Sequence, residues 1–176
     1  MSKRISLQGG SSLLEVLVAM LILAFGLLAL SGMLGFAVQM PKMSAYRSSA
    51  VMLASGHIER MRANVDAFKA GAYGENMTYN AAIAPVTPCS YPGCDASAIA
   101  TLDKFETNTA LRRTLPLGGM RMTCDGACAS GEGALWVMWQ EPSTFAALAS
   151  EDNDECPLPP SSFTIQPRCV HVKFKL

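Results

Sequence analysis

The chain has 176 residues, of which 50% are hydrophobic and only 16% charged, and its 14 basic and 14 acidic side chains balance. That length suits one membrane-anchored helix and one modest globular head. The absence of net positive charge argues against general nucleic-acid binding through charge.

Residues Met1 to Gly10 form a short polar leader carrying Lys3 and Arg4. After Ser11 and Ser12, nearly every residue from Leu13 to Val38 is Leu, Val, Ile, Ala, Met, Phe or Gly; the exceptions are Glu15 and Ser31. At about 1.5 Å per residue, a helix over this run crosses a hydrocarbon core about 30 Å thick. A carboxylate near the start of such a run is costly in lipid and normally has a partner. Two plainer readings compete. One is a secretory signal cut after Ala29-Leu30-Ser31, but the apolar run is longer than the usual core of such a signal and leaves Glu15 without a use. The other is a simple anchor with an incidental acid.

A short basic leader, a small residue and then an apolar run with Glu at its fifth position resembles the class III signal of type IV prepilins. Leu13, Leu14, Glu15, Val16 and Leu17 match that pattern; Ser11 stands where the family usually has Phe. The resemblance implies that a membrane prepilin peptidase cuts between Gly10 and Ser11 and that the new Ser11 amine is methylated. It also implies that Glu15 pairs with the N-terminal amine of a neighbouring subunit during assembly.

The second half of the apolar run collects Gly26, Ser31, Gly32 and Gly35, and Pro41 lacks the donor that would bond the Ala37 carbonyl. A kink or loosened turn is therefore expected between about Gly32 and Met43. Beyond it the helix should resume, with Ala50, Leu53, Ala54, Ile58, Met61, Val65 and Phe68 forming one apolar stripe. Arg47, Glu59, Arg60 and Arg62 lie mostly off the stripe, and His57 sits beside it as a packed or solvated helical histidine rather than a ligand. Gly71 and Gly74 should end this helix.

From Gly74 to Thr101 the chain is small and polar, and reads as a loop or a poorly ordered excursion. Asn76-Met77-Thr78 matches a glycosylation sequon, a pattern common by chance. A short helix is expected from about Ala98 to Leu115, after which Gly118-Gly119 opens a sheet. The expected strands are Met120–Cys124, Ala134–Gln140, Ser162–Gln166 and Cys169–Lys175. The last alternates, with Val170, Val172, Phe174 and Leu176 on one face and His171, Lys173 and Lys175 on the wet face. Leu135-Trp136-Val137-Met138-Trp139 is apolar on both faces and reads as a central strand, with Trp136 and Trp139 assigned to core rather than to a contact patch.

Cys89, Cys94, Cys124, Cys128, Cys156 and Cys169 all follow the apolar run, while Lys3 and Arg4 precede it. By the positive-inside rule the cysteines face the oxidising side, where an even count reads as disulfides. Cys124-x3-Cys128 has a zinc-like spacing, but Cys89-x4-Cys94 is a loose match and no histidine lies close to either pair, so no metal is expected. Six cysteines allow fifteen pairings. Nearest-neighbour pairing is the expectation: Cys89–Cys94, Cys124–Cys128 and Cys156–Cys169. In many pilins a C-terminal disulfide similarly clamps a loop onto the last strand. The sequence carries no phosphate loop or nucleophile motif, and its two histidines are far apart, so neither catalysis nor a cofactor is expected.

Glu15-Val16-Leu17-Val18-Ala19, the run from Ile22 to Leu30, and Ile58-Glu59-Arg60-Met61-Arg62-Ala63-Asn64 are similar to the PilV-type pilus modification proteins. So is Leu115-Pro116-Leu117-Gly118-Gly119 ahead of a tryptophan-bearing strand. The resemblance implies an α+β pilin-like fold, with a long N-terminal helix packed on a small antiparallel, disulfide-stabilised head. The expected parts are the leader 1–10, a transmembrane assembly helix 11–42 and a periplasmic head 43–176. The implied role is that of a minor pilin that spans the inner membrane once, primes pilus assembly and enters the cell-surface pilus. Its implied partners are prepilin peptidase, other minor and major pilins, the inner-membrane assembly platform and membrane lipid. A minor pseudopilin of a type II secretion system would share signal and assembly logic, and a tip adhesin or DNA-uptake subunit is the reading from a different class.

Overall fold

A computed structural model describes residues 12–90, 92–141, 156–157 and 167–176. The expected strand Ser162–Gln166, the leader, Gly10 and Ser11 lie outside the described residues. The chain divides into two compact units, Met1–Lys42 and Met43–Leu176.

The first unit is the apolar part of helix α1, which as a whole covers Leu13–Ala63. Leucine, methionine and alanine are strong helix formers, and their number outweighs the glycines. Helix α1 continues through Pro41, so the stretch expected to loosen there keeps its helical hydrogen bonding on either side. A proline removes one donor, and long helical flanks hold a single defect of that kind within a cooperative helix. Ser31 donates its hydroxyl to the Leu28 carbonyl at 2.8 Å, which satisfies the polar group within its own helix. Among the described residues, α1 is the one helix long and apolar enough to cross a membrane.

In the second unit α1 buries Ala50, Ala54, His57, Ile58 and Met61, the three- and four-residue spacing of a single helical face. The helix does not run on to Gly71. It breaks at Asn64, whose backbone is non-helical, and resumes as α2 over Val65–Lys69. The Asn64 side-chain amide donates to the Ala96 carbonyl at 2.8 Å, while its backbone N–H donates to the Met61 carbonyl at 3.2 Å. Helix α2 buries Ala67 and Phe68, and Gly71 then turns the chain with φ +83°, a conformation that favours glycine.

The expected loop after Gly74 is more ordered in its pairing than its composition suggests. Glu75 and Met122 exchange both backbone hydrogen bonds, at 3.1 and 3.0 Å, and Thr78 N donates to the Met120 carbonyl at 2.9 Å. Helix α3 covers Ala96–Thr114, two residues earlier than expected, because Asp95 caps it by accepting from Ala98 N at 2.7 Å. Three antiparallel strands follow: β1 at Gly119–Cys124, β2 at Glu132–Trp139 and β3 at Arg168–Lys175, in the order β1-β2-β3. Strand β2 is central, as its unbroken apolar run predicts.

One face of the sheet carries Met120, Met122, Leu135, Val137, Trp139 and Val170 onto the buried faces of α1, α2 and α3. Val172, Phe174 and Leu176 complete this face, which matches the alternation expected of the last strand. The other face buries Met138 and Cys169 with Tyr79. Gly119 is a point of close approach between two stretches of backbone. A Cβ there would lie 2.4 to 2.6 Å from the backbone of Thr78 and Tyr79.

Three disulfides join Cys89 to Cys94, Cys124 to Cys128 and Cys156 to Cys169, with Cα–Cα separations of 5.2, 5.0 and 5.4 Å. The last spans 13 residues and ties the segment at Cys156 to β3. By the chain-entropy argument a loop of this size contributes up to about 3 kcal/mol. Peptide mapping without reduction is expected to recover these three pairs. Replacing Cys156 and Cys169 by serine should lower the urea midpoint most among the three paired double substitutions, because the other loops are shorter. Free thiols, or a different pairing, would contradict the arrangement.

Candidate functional site

Two regions bring charged side chains into distinctive surroundings, and the sequence singles out only the first. The first is the start of α1. The Ser12 carbonyl accepts from Glu15 N at 2.8 Å and from Val16 N at 3.2 Å, which opens the helix and places Glu15 in its first turn. A carboxylate is favoured there by the exposed peptide dipoles of a helix N-terminus. This is a local reason for an acid at that position which the sequence pattern does not reveal. Leu13, Leu14, Val16, Leu17 and Val18 surround it and are exposed, Leu13 to 79%. Further along, a Cβ at Gly26, Gly32 or Gly35 would meet nothing within 4 Å. The apolar half of α1 thus offers a long hydrophobic surface with shallow steps at its glycines. Such a surface is stable against lipid or against other apolar helices, and not against water.

The second region is a polar joint between α1, α3 and the turn at Tyr73. Arg60 on α1 reaches Asp103 at 3.1 Å and Glu106 at 2.5 Å, both on α3. The buried Tyr73 donates its hydroxyl to the second oxygen of Asp103 at 2.6 Å. Burial, followed by the hydrogen bond to Asp103, pushes the Tyr73 hydroxyl well above the ordinary phenol range. Asn64 lies 3.3 Å from that hydroxyl. One turn back on α1, His57 is buried with Nδ1 at 2.8 Å from Thr107 Oγ1, and its ring meets Tyr73 edge to face at 5.8 Å. Burial lowers His57 to about 4, against the opposing pull of Asp103. His57 is therefore packed, as expected. Asp103, Tyr73 and Thr107 were not legible as its company. The available sign was the Asp103, Glu106, Thr107 spacing, which sets all three on one side of α3.

Thr78 in the sequon is engaged within the fold. Its Oγ1 accepts from Met120 N at 2.8 Å and lies 2.6 Å from Asn108 Oδ1. Arg112 holds the same segment, donating to the carbonyls of Thr78 and Ala81 at 3.0 and 2.7 Å.

The two tryptophans part company. Trp139 is core, but Trp136 is half-buried on the opposite face, because neighbouring positions of a strand alternate only when their separation is odd. Arg121, Trp136 and His171 lie directly across from one another on the three strands. The His171 ring stacks on Trp136 at 4.4 Å with 4° between planes, and the Arg121 guanidinium lies 5.9 Å from the indole. His171 is thus half-buried and stacked rather than fully on a wet face. Among the described residues no group of three or more His, Cys, Asp or Glu is placed to hold a metal ion.

No family model, curated protein or solved structure matches this chain.

Proposed function

We propose that this chain is a minor pilin, cut by prepilin peptidase between Gly10 and Ser11, methylated on the Ser11 amine and inserted into type IV pili during their priming. The observation that carries the reading is one combination. A basic leader and a Glu at the fifth position after Gly10 introduce an exposed apolar helix, and that helix leads into a small disulfide-bonded α+β unit. The leader gives the peptidase its substrate. The apolar half of α1 holds the subunit in the inner membrane, with the head in the periplasm, until it packs among other pilins at the assembly platform. A role of this kind requires neither catalysis nor a cofactor.

Intact-mass measurement of membrane-extracted protein tests the processing step. The expected chain begins at Ser11 and carries one methyl group on its amine. A chain beginning at Gly32 would establish a secretory signal instead, and an uncut Met1 a plain anchor. Recovery of the mature chain from sheared pili is the expected outcome for a pilus subunit. Correct processing with recovery only alongside secretion-system components would move the assignment to a minor pseudopilin.

A further inference from the structure

The hydrogen bonds around His57 assign its tautomer. Thr107 has one hydroxyl proton and makes two contacts of 2.8 Å, one with the Asp103 carbonyl oxygen and one with His57 Nδ1. A carbonyl only accepts, so the arrangement that satisfies both contacts has the Thr107 proton on Asp103 O and a proton on His57 Nδ1. His57 Nε2 then carries the bare lone pair. It is buried and has no hydrogen-bond partner, within a residue that is 1% exposed. Protonation at Nε2 would place a second N–H and a positive charge where no acceptor waits, a costly state for a buried group.

We propose that His57 is a pH-sensitive latch between α1 and α3, closed while the ring is neutral and donates to Thr107, and released when Nε2 takes a proton from solvent. The groups around it belong to three elements. Arg60 shares α1; Asp103, Lys104 and Glu106 come from α3; Tyr73 and Glu75 come from the turn between α2 and α3. Asp103 favours the charged ring, whereas Arg60 and Lys104 oppose it and burial outweighs them all. Arg60 is itself held by Asp103 and Glu106, and Lys104 lies 3.8 Å from Glu75.

The direction follows from linkage. Above the ordinary histidine value of 6.5 His57 is neutral whether the latch is open or closed, and docking does not depend on its titration. Between 6.5 and about 4 the opened form takes up a proton that the closed form refuses, so docking weakens as pH falls. Below about 4 both forms are charged and the loss levels off. From pH 7.5 to pH 5 the opening equilibrium should rise about 30-fold.

The test uses the full mature chain in detergent micelles, with amide hydrogen exchange corrected for intrinsic rates at pH 7.5 and pH 5. Amides from Ala100 to Leu111 are expected to lose protection about 30-fold at the lower pH, and to open more readily than those of β2 at both. His57→Gln keeps a donor for Thr107 but cannot titrate, and should abolish the step. Asp103, Glu106 and Glu75 remain in that variant, so a step that persists there would belong to the carboxylates and overturn the proposal. A change below about threefold in the wild-type chain, or identical opening of α3 and β2, would overturn it too. Nitrogen chemical shifts of the wild-type His57 ring give an independent reading at pH 7.5. The Nδ1–H tautomer is expected, and the Nε2–H tautomer would remove the basis of the latch even if the variant failed to fold.

Discussion

Glu15→Gln is expected to leave the chain cut after Gly10 and held in the membrane, yet to lower its amount in sheared pili at least tenfold. The substitution keeps size and polarity and deletes only the charge. Glu15 lies in a helical turn whose neighbours Leu13, Leu14, Val16 and Leu17 are all exposed and apolar, so wherever that surface is covered Glu15 enters a poorly solvating environment. Under the proposed function its carboxylate meets the methylated amine of an adjacent subunit, and methylation keeps that amine cationic. Breaking one side of a desolvated charge pair costs about 2 kcal/mol or more, and about 1.4 kcal/mol already corresponds to tenfold. The first-turn position gives Glu15 a second, local role with the helix dipole, but that role is worth only about 0.3–1 kcal/mol and is blind to neighbours. Incorporation equal to wild type would therefore reduce Glu15 to the local role and remove the charge-pairing mechanism.

Gly119→Ala should destabilise the second unit by about 3 kcal/mol, the upper part of the range for overpacking. The added Cβ would lie within 2.4 to 2.6 Å of backbone atoms of Thr78 and Tyr79. Those atoms are not the far end of a flexible side chain. They belong to a segment pinned to β1 through Thr78 and to α3 through Arg112. Relief requires parting that segment from the strand. Gly56→Ala is the matched control: nothing lies within 4 Å of its Cβ, and alanine in a helix gains up to about 1 kcal/mol over glycine. Urea denaturation of the full chain in micelles, followed by the tryptophan signal, reads both. A Gly119→Ala midpoint within error of wild type would mean that the segment at Thr78 and Tyr79 does not lie against β1 as described.

These residues also mark how far the sequence could be read. The alternation from Val170 to Leu176 was legible because Val170, Val172, Phe174 and Leu176 pack on the core while Lys173 and Lys175 are exposed, and the run from Leu135 to Trp139 because β2 is covered on both faces. The apolar helix was legible from composition alone. What resisted reading depends on single polar contacts across long separations. Asn64 interrupts a stretch with no local signal to stop, where its side-chain amide reaches across to the Ala96 carbonyl. Residues 75–78 look like loop because their pairing with β1 rests on three backbone hydrogen bonds and one hydroxyl. In the polar joint, Arg60 was placed off the apolar stripe without its partners, since only the fold brings Asp103 and Glu106 beside it.

The attachment of residues 75–78 to β1 has a further effect on how copies of this chain behave when crowded together. On that side of the sheet, Met120 and Met122 have their amides and carbonyls engaged, and a threonine hydroxyl stands in for a carbonyl at Met120 N. A strand from another molecule approaching there meets no template to copy, since docking would first have to strip away a segment held by Arg112 and Asn108. The β1 margin is thereby closed to sheet-to-sheet growth, which guards against runaway aggregation wherever many heads stand side by side at high local concentration.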